Sequence, residues 1–173
     1  DPILAYQKRL SLAENAANTA HAAFYADFEQ LVGSVDTVSS VNDKLTQLET
    51  AFLSAASDPS SETRLRNISF AAESFASELR RASEGLSQLR TQADGQIERS
   101  VETLNSGLFQ LEKLNGQIVT SKHLGQDAHG LMDQRDMILD QLSELVPLHV
   151  VKRDSGMIAV FTSQGRTVLD DRA

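Results

Sequence analysis

The sequence predicts a mainly α-helical protein, built as an elongated antiparallel helical bundle with one very long helix and followed by a short β-meander. The 173 residues include no Trp, 2 Tyr and 7 Phe, a composition that suits thin seams between helices better than a thick globular core. Apolar residues recur at alternating three- and four-residue spacing over most of residues 2–119, which is the period of an amphipathic helix. The last part of the chain instead combines β-rich runs with turn signals.

The first helix is predicted over about residues 2–32. Asp1 is a candidate cap, and Pro2 suits the first helical position because its fixed φ and missing N–H cost little there. Apolar residues then follow at steps of three and four, and Gly33 ends the helix. The residues of this stripe are Ile3, Tyr6, Leu10, Ala13, Ala17, Ala20, Phe24, Phe28 and Leu31.

The second and third helices are predicted over about residues 40–56 and 61–119. Pro59 separates them because it disfavours helix at the residue before it. In the third helix the apolar stripe slips between Leu89 and Leu104, which lie 15 residues apart over four turns, so a left-handed supercoil relaxes or reverses there. A continuous helix of this extent is roughly 85 Å long at a rise of about 1.5 Å per residue. The stripe consists of Leu65, Ile68, Ala72, Phe75, Leu79, Ala82, Leu86, Leu89, Ala93, Ile97, Val101, Leu104, Leu108, Leu111, Leu114 and Ile118.

A fourth helix and three strands are predicted in the remaining part of the chain. Residues 121–130 contain two Gly and no apolar period, which is typical of a loop. The fourth helix covers about residues 131–146 and ends before Pro147. Turn signals separate three β-rich runs, which are Leu148 to Val151, Met157 to Thr162 and Arg166 to Leu169. We therefore expect a helical rod over residues 1–147 and the start of a β-rich element over residues 148–173.

Composition and charge argue against several classes of function. The formal net charge is −8 and no three consecutive residues are Lys or Arg, so we expect neither nucleic acid nor a membrane surface as a partner. The absence of Cys excludes disulfides, thiolate metal sites and thiol nucleophiles. No apolar run approaches the ~20 residues that a membrane span needs. The chain opens in a helical pattern without a signal peptide, and we interpret it as part of a longer protein.

The stretch HGLMDQRD, from His129 to Asp136, holds a histidine, two carboxylates and a guanidinium. His129, Asp133 and Asp136 have helical spacing and could share one face, as metal ligands or acid/base groups would. That pattern is loose, and we favour a second interpretation in which Asp133 sits at the positive amino end of a helix. Asp133, Arg135 and Asp136 would then form an ion-pair cluster that holds the short helix to the long one.

Other polar residues on the predicted helices have simpler interpretations. Asp140 and Glu144 continue the acidic row of the fourth helix and are most simply a solvated face. Asn105 and Asn115 lie on or beside the apolar seam of the long helix, where a polar side chain either fixes the register between helices or turns outward to water. The sequence contains neither a Gly-rich phosphate loop nor a Gly-x-Ser-x-Gly motif. We expect no catalysis, no bound metal and no cofactor.

Two segments resemble the family of the first hook-associated protein of the bacterial flagellum. VETLNSGLFQLEKLNGQI, residues 101–118, is similar to the family's long helix, with Asn105, Asn115 and Ile118 in its V-x-x-L-N and L-N-x-Q-I elements. GLMDQRDMILDQLSELVPLHVV, residues 130–151, is similar to the helix and strand that follow, where the family has L-L-D-Q-R-D. The matching residues are Leu131, Asp133, Gln134, Arg135 and Asp136, and Met132 replaces the usual second Leu.

This resemblance, which runs from about Phe24 to Leu169, implies a structural role and no enzymatic one. Family members are axial subunits that join hook to filament, exported without a cleaved signal peptide by the flagellar type III apparatus and assembled outside the cell. The implied partners are the hook protein, the second junction protein, copies of the same protein and a flagellar export chaperone. The resemblance also implies an α+β full-length protein with terminal helices and a larger β-rich outer domain.

The residues by themselves leave a different class of function open, a soluble helical-bundle interaction or scaffold module whose seam binds a partner helix. Such a module predicts a compact dimer, whereas a structural subunit predicts an elongated monomer. Small-angle scattering on the chain distinguishes the two.

Overall fold

The computed structural model describes residues 2–33 and 40–170, which form four helices and three strands. The elements are α1 (Pro2–Val32), α2 (Val41–Ser57), α3 (Glu62–His123), α4 (His129–Ser143), β1 (Leu148–Lys152), β2 (Ile158–Thr162) and β3 (Thr167–Leu169). The predicted class, mainly α with one very long helix and a short β-meander, is confirmed. The predicted cap at Asp1 lies outside the described residues. In the part of the chain that is described, no helix combines the length and the apolarity needed to cross a membrane.

Local signals set the end of α1 and the start of α2. Gly33 has a φ of 76° and donates its N–H to the carbonyl of Glu29 at 2.9 Å, a left-handed helix end that glycine adopts without steric cost. α2 begins after Ser40, whose hydroxyl accepts the N–H of Asp43 at 3.1 Å. Because Ser40 is the N-cap and not the first helical residue, α2 lies one residue later than the predicted range 40–56.

The end of α3 lies beyond the predicted residue 119, at His123. The stop signal is Gly125, whose φ is 69°. Its N–H bonds to the carbonyl of Lys122 at 3.1 Å, and the N–H of the next residue bonds to the carbonyl of Ser121 at 2.8 Å. This pair of hydrogen bonds satisfies carbonyls that the helix leaves free at its end, so the helix continues past its last apolar residue.

Helix α4 covers His129–Ser143 and not the predicted range 131–146. The carboxylate of Asp127 accepts the backbone N–H of His129 at 2.9 Å, and this contact starts the helix two residues earlier than the apolar pattern indicates. At the other end, residues 144–146 form a turn.

The three strands form the predicted meander, with the order β1-β2-β3 and antiparallel neighbours. Leu148 of β1 lies opposite Thr162 of β2. The first strand runs one residue further than predicted, and the second and third each begin one residue later. The reason is that the carbonyls of Met157 and Arg166 accept the hydrogen bonds that close the two hairpin turns.

Internal contacts divide the chain into two compact units, of which the first contains Asp1–His21 and Gln96–Ala173. Its core lies where α3 and α4 pack against the sheet. Gly107 of α3 belongs to this contact, because an added Cβ would lie 2.6 Å from Cδ2 of Leu142. The core residues are Leu111, Leu139, Leu142, Leu148, Ile158 and Val160. The sheet thus shares a unit with the helices.

The second unit contains Ala22–Gly95. Gly85 of α3 lies against α1, where an added Cβ would be 2.1 Å from Cδ1 of Leu31. Arg81 donates to the carbonyl of Leu31 at 3.2 Å and, through Nε, to the carboxylate of Glu78 at 3.0 Å. The hydrogen bond from Arg81 holds the pKa of Glu78 below its ordinary value. Several large apolar residues of this unit are exposed, namely Phe24, Tyr25, Phe28, Leu45, Phe52, Leu53, Leu65, Phe70 and Leu79.

Candidate functional site

The HGLMDQRD stretch begins α4, and its candidate metal ligands have different surroundings. The ring of His129 contacts the carboxylate of Asp127, while Asp133 is exposed to solvent. Asp136 faces α1, where its Oδ1 lies 3.4 Å from Nη2 of Arg9. Hydrogen bonds from the backbone N–H and then the ring of His129 lower the pKa of Asp127. Among the described residues, no group of three or more His, Cys, Asp or Glu side chains is placed to hold a metal ion.

Arg135 is the buried residue of this stretch, with 4% of its surface exposed. Its Nη1 donates to the carbonyl of Gly156 at 2.9 Å and to Oδ1 of Asn115 at 3.5 Å. Its Nε is buried and has no hydrogen-bond partner within the described part of the chain. Burial lowers the pKa of Arg135, and the charge of Arg9 lowers it further, while Asp136 raises it. Arg135 is therefore a desolvated cation that neutral oxygen atoms hold in place.

The predicted ion-pair cluster of Asp133, Arg135 and Asp136 between the short and the long helix is corrected by these contacts. Arg135 reaches α3 through the side-chain amide of Asn115 and not through a carboxylate. Asp133 and Gln134 are exposed. The reason is geometric, because consecutive helical residues lie about 100° apart around the axis and cannot all face one neighbour.

Asp136 and Asp140 of α4 form their ion pairs with α1. Asp140 accepts hydrogen bonds from Nζ of Lys8 at 2.5 Å and from Nε of Arg9 at 3.1 Å, next to the contact of Arg9 with Asp136. The side chain of Arg9 is 9% exposed, so these pairs are partly shielded from water. The predicted solvated face is therefore wrong for Asp140, although Glu144 is exposed. The i, i+4 spacing of the two acidic residues shows that they share a face, but no local signal shows which helix packs on it.

Asn115 joins α3 to the first residue of β2. Its side chain is fully buried, and its Nδ2 donates to the carbonyl of Ile158 at 2.9 Å while its Oδ1 accepts the N–H of Ile158 at 3.2 Å. The side-chain amide of Asn115 thus forms the two backbone hydrogen bonds with Ile158 that a neighbouring strand would otherwise form. Of the two alternatives for the asparagines, Asn105 turns outward and is exposed, whereas Asn115 fixes a helix to a strand.

Two further residues that carry the family resemblance are buried or half-buried. Ile118 is fully buried, one helical turn after Asn115, and Leu131 is half-buried. Gly156, whose carbonyl receives Arg135, has a φ of 91°, a conformation that favours glycine. The run Asp154-Ser155-Gly156 is a turn signal, so the sequence shows where this glycine lies. It does not show which side chain binds the carbonyl of Gly156, because every residue has a backbone carbonyl.

The contacts of this cluster are suited to holding elements together. An amide, a guanidinium and backbone groups pair with one another in the interior, where such networks specify a unique packing. Fold and site together define a helical structural domain in which a buried polar cluster fastens a three-stranded meander to a long helix.

Comparison with known protein families identifies the family of this domain. The family model for the flagellar hook-associated protein FlgK helical domain matches residues 25–173, and the chain belongs to this family. The chain is similar to flagellar hook-associated protein 1 of Bacillus subtilis (strain 168), with 25% identity over 170 residues, which cover 98% of this chain and 33% of the relative. It is also similar to flagellar hook-associated protein 1 of Escherichia coli (strain K12), with 26% identity over 164 residues, which cover 89% of this chain and 29% of the relative.

A solved structure supports the same conclusion. The flagellar hook junction protein FlgK from Burkholderia pseudomallei matches 95% of this chain with a TM-score of 0.84 and 25% identity, over 29% of its own length. The chain therefore spans a third or less of the relatives that it matches.

Proposed function

We propose that this chain is the helical part of a structural subunit of the bacterial flagellum, which joins hook to filament as an axial hook-associated protein. Membership of the FlgK helical-domain family over residues 25–173 supports this. The names of the relatives, flagellar hook-associated protein 1 and flagellar hook junction protein, support it as well. The proposed role is mechanical and includes no reaction and no cofactor.

The observation on the molecule that carries the proposal is the exposed part of the apolar stripe of α3. In the second unit Leu65 and Leu79 are 47% and 44% exposed, and in the first unit Ile97 and Val101 are 62% and 48% exposed. These residues lie at positions of the predicted helical seam, where an isolated soluble helix would carry polar side chains. Exposed apolar surface of this kind marks contact with other protein segments, as a subunit packed within an axial assembly requires.

The proposed partners are other axial proteins, namely the hook protein, the second junction protein and copies of the same protein. A flagellar export chaperone is the proposed partner before assembly. The proposed location is the flagellum outside the cell, reached through the flagellar type III export apparatus without a cleaved signal peptide. These partners and this route follow from the family that the sequence resembles.

A chimera tests the proposal. In Bacillus subtilis, the segment of flagellar hook-associated protein 1 that aligns with this chain is replaced by the chain itself. We expect the cells to keep filaments attached to their hooks and to swim in soft agar. Normal export of the chimera into the medium together with loss of filament attachment would contradict the proposal.

A matched pair of variants tests the role of the apolar stripe in the same chimera. Leu65→Asp combined with Leu79→Asp places charges on the exposed seam and should abolish filament attachment. Ser77→Asp places a charge at an exposed position of the same helix that is outside the stripe and should retain it. Circular dichroism of the purified chains checks that all variants stay helical. Equal motility of the strain with the double variant and the strain with Ser77→Asp would show that the apolar stripe is not needed for filament attachment.

A further inference from the structure

A cavity of about 500 Å³ lies between α1, α4 and β1 in the first unit, and we call it the Arg135 cavity. The sheet contributes mainly apolar side chains to its wall, and the helices contribute charged ones. The residues that matter for its chemistry are Ala5, Arg9, Arg135, Asp136, His149 and Lys152.

The charges around the Arg135 cavity are unequal. Its wall contains three cationic side chains and one carboxylate, although the whole chain has a formal net charge of −8. Arg9 is already shared between Asp136 and Asp140. Lys152 is exposed at the end of β1. The wall therefore holds more positive than negative charge, and neither Arg135 nor Lys152 forms an ion pair with a described carboxylate.

Arg135 contributes to this wall and has donor capacity that no described residue uses. Only its Nη1 forms hydrogen bonds with described residues, and both acceptors are neutral oxygen atoms. Its Nε is buried without a partner in the described part of the chain. A buried guanidinium that forms no ion pair with a described carboxylate and lacks part of its hydrogen bonds is costly. Burial is the first cause of the lowered pKa of Arg135, and the charge of Asp136 offsets only part of this lowering.

We propose that the Arg135 cavity binds a carboxylate group. The planar guanidinium offers two parallel N–H donors, a geometry that matches the two oxygens of a carboxylate, and Lys152 supplies a second positive charge at the rim. Ala5 and the apolar part of the sheet accommodate the aliphatic part that carries the carboxylate. The carboxylate comes either from an acidic side chain of another protein segment or from a small organic acid. This site is independent of the proposed flagellar role.

Titration of the intact 173-residue chain tests this site. The ¹⁵N-labelled chain is titrated with succinate, with a blocked glutamate-containing tripeptide, with inorganic phosphate, and with sodium chloride at matched ionic strength. We expect a saturable shift of the Arg135 Nε–H signal with succinate or with the peptide and no saturable shift with chloride. Tighter binding of the peptide assigns the site to a protein side chain, and tighter binding of succinate assigns it to a small organic acid. Shifts that follow ionic strength alone, or tighter binding of phosphate than of either carboxylate, would overturn the proposal.

Two variants with one matched control complete the test. Arg135→Gln should weaken carboxylate binding about tenfold or more, because it removes a charge-assisted pair of hydrogen bonds. Lys152→Gln, at an exposed residue, should weaken it roughly threefold and keeps the proposal testable if Arg135→Gln does not fold. Lys113→Gln changes an exposed lysine that does not line the cavity and should leave binding unchanged. Equal affinities for Lys152→Gln and Lys113→Gln would count against the site.

Discussion

Asn115→Ala removes both hydrogen-bond partners of one residue of the sheet. In the folded chain the amide of Asn115 accepts the N–H of Ile158 and donates to its carbonyl. It also offers its oxygen to Arg135 at 3.5 Å. Ile158 is 2% exposed, so water has little access to the two backbone groups that the substitution leaves behind. The change therefore strands a buried donor and a buried acceptor in β2.

The expected magnitude follows from these contacts. Each buried polar group left without a partner costs about 1–3 kcal/mol, so the two groups of Ile158 cost roughly 2–6 kcal/mol. Alanine has a better helix propensity than asparagine, and this difference stabilises the variant by about 0.7 kcal/mol or less. The net loss in the free energy of unfolding is then about 3 kcal/mol, which corresponds to a fall in Tm of about 6–12 °C for a chain of this size.

Two measurements check this prediction. Urea denaturation followed by far-UV circular dichroism gives the free energy of unfolding, and amide hydrogen exchange by NMR reports on the N–H of Ile158 itself. Asn105→Ala is the matched control, because Asn105 is exposed on the same helix, and it should change stability by no more than about 0.5 kcal/mol. Equal stabilities of the two variants, or an unchanged exchange rate at Ile158, would refute the reasoning.

Three further outcomes follow from the packing and charges of α3 and α4. Gly107→Ala presses a Cβ against Leu142 at 2.6 Å and should lower the free energy of unfolding by about 1–3 kcal/mol. Gly116→Ala in the same helix, with no described neighbour within 4 Å of the new Cβ, should raise it by up to about 1 kcal/mol, and equal effects in urea titrations would argue against the close packing. Arg135→Ala removes the donor to the half-buried carbonyl of Gly156 and one of the two donors to Oδ1 of Asn115, and it should lower the Tm by several degrees in calorimetry, so an unchanged melting curve would disprove its structural role. The pKa of Glu78 is lowered from 4.5 by its arginine partner, so the pair stabilises the fold above that value and is lost as the pH falls through the lower folded pKa. Wild type should therefore lose more stability than Glu78→Gln between about pH 5 and pH 3, and parallel Tm profiles would contradict this.

The helices could be predicted because their signals are local. The apolar period locates α1 and α3, and Gly33 sits where a helix end is expected. The errors at the end of α3 and at the start of α4 arise where the helix extends beyond its apolar residues. Gly125 and Asp127 then decide the boundaries through hydrogen bonds of the backbone, and these bonds do not depend on the apolar period.

The sequence identified residues of the buried polar cluster but not the groups that they contact. The sequence singles out Arg135 and Asn115, and both are buried. Their partners, Gly156 and Ile158, contribute backbone groups, which every residue possesses and no sequence pattern distinguishes. The pairing of Asp140 with α1 has a different reason, since the spacing of Asp140 on α4 does not show which helix packs against that face.

The sequence by itself determined the mainly α class, the very long helix, the meander and the family resemblance, because periodicity, turn residues and motif order are properties of neighbouring positions. The tertiary structure decided which of two similar asparagines is buried and which oxygens hold the buried arginine. It also decided which helix neutralises the acidic face of α4. These outcomes depend on residues that lie far apart in the chain, and burial gives an amide or a guanidinium its structural role only after such residues have come together.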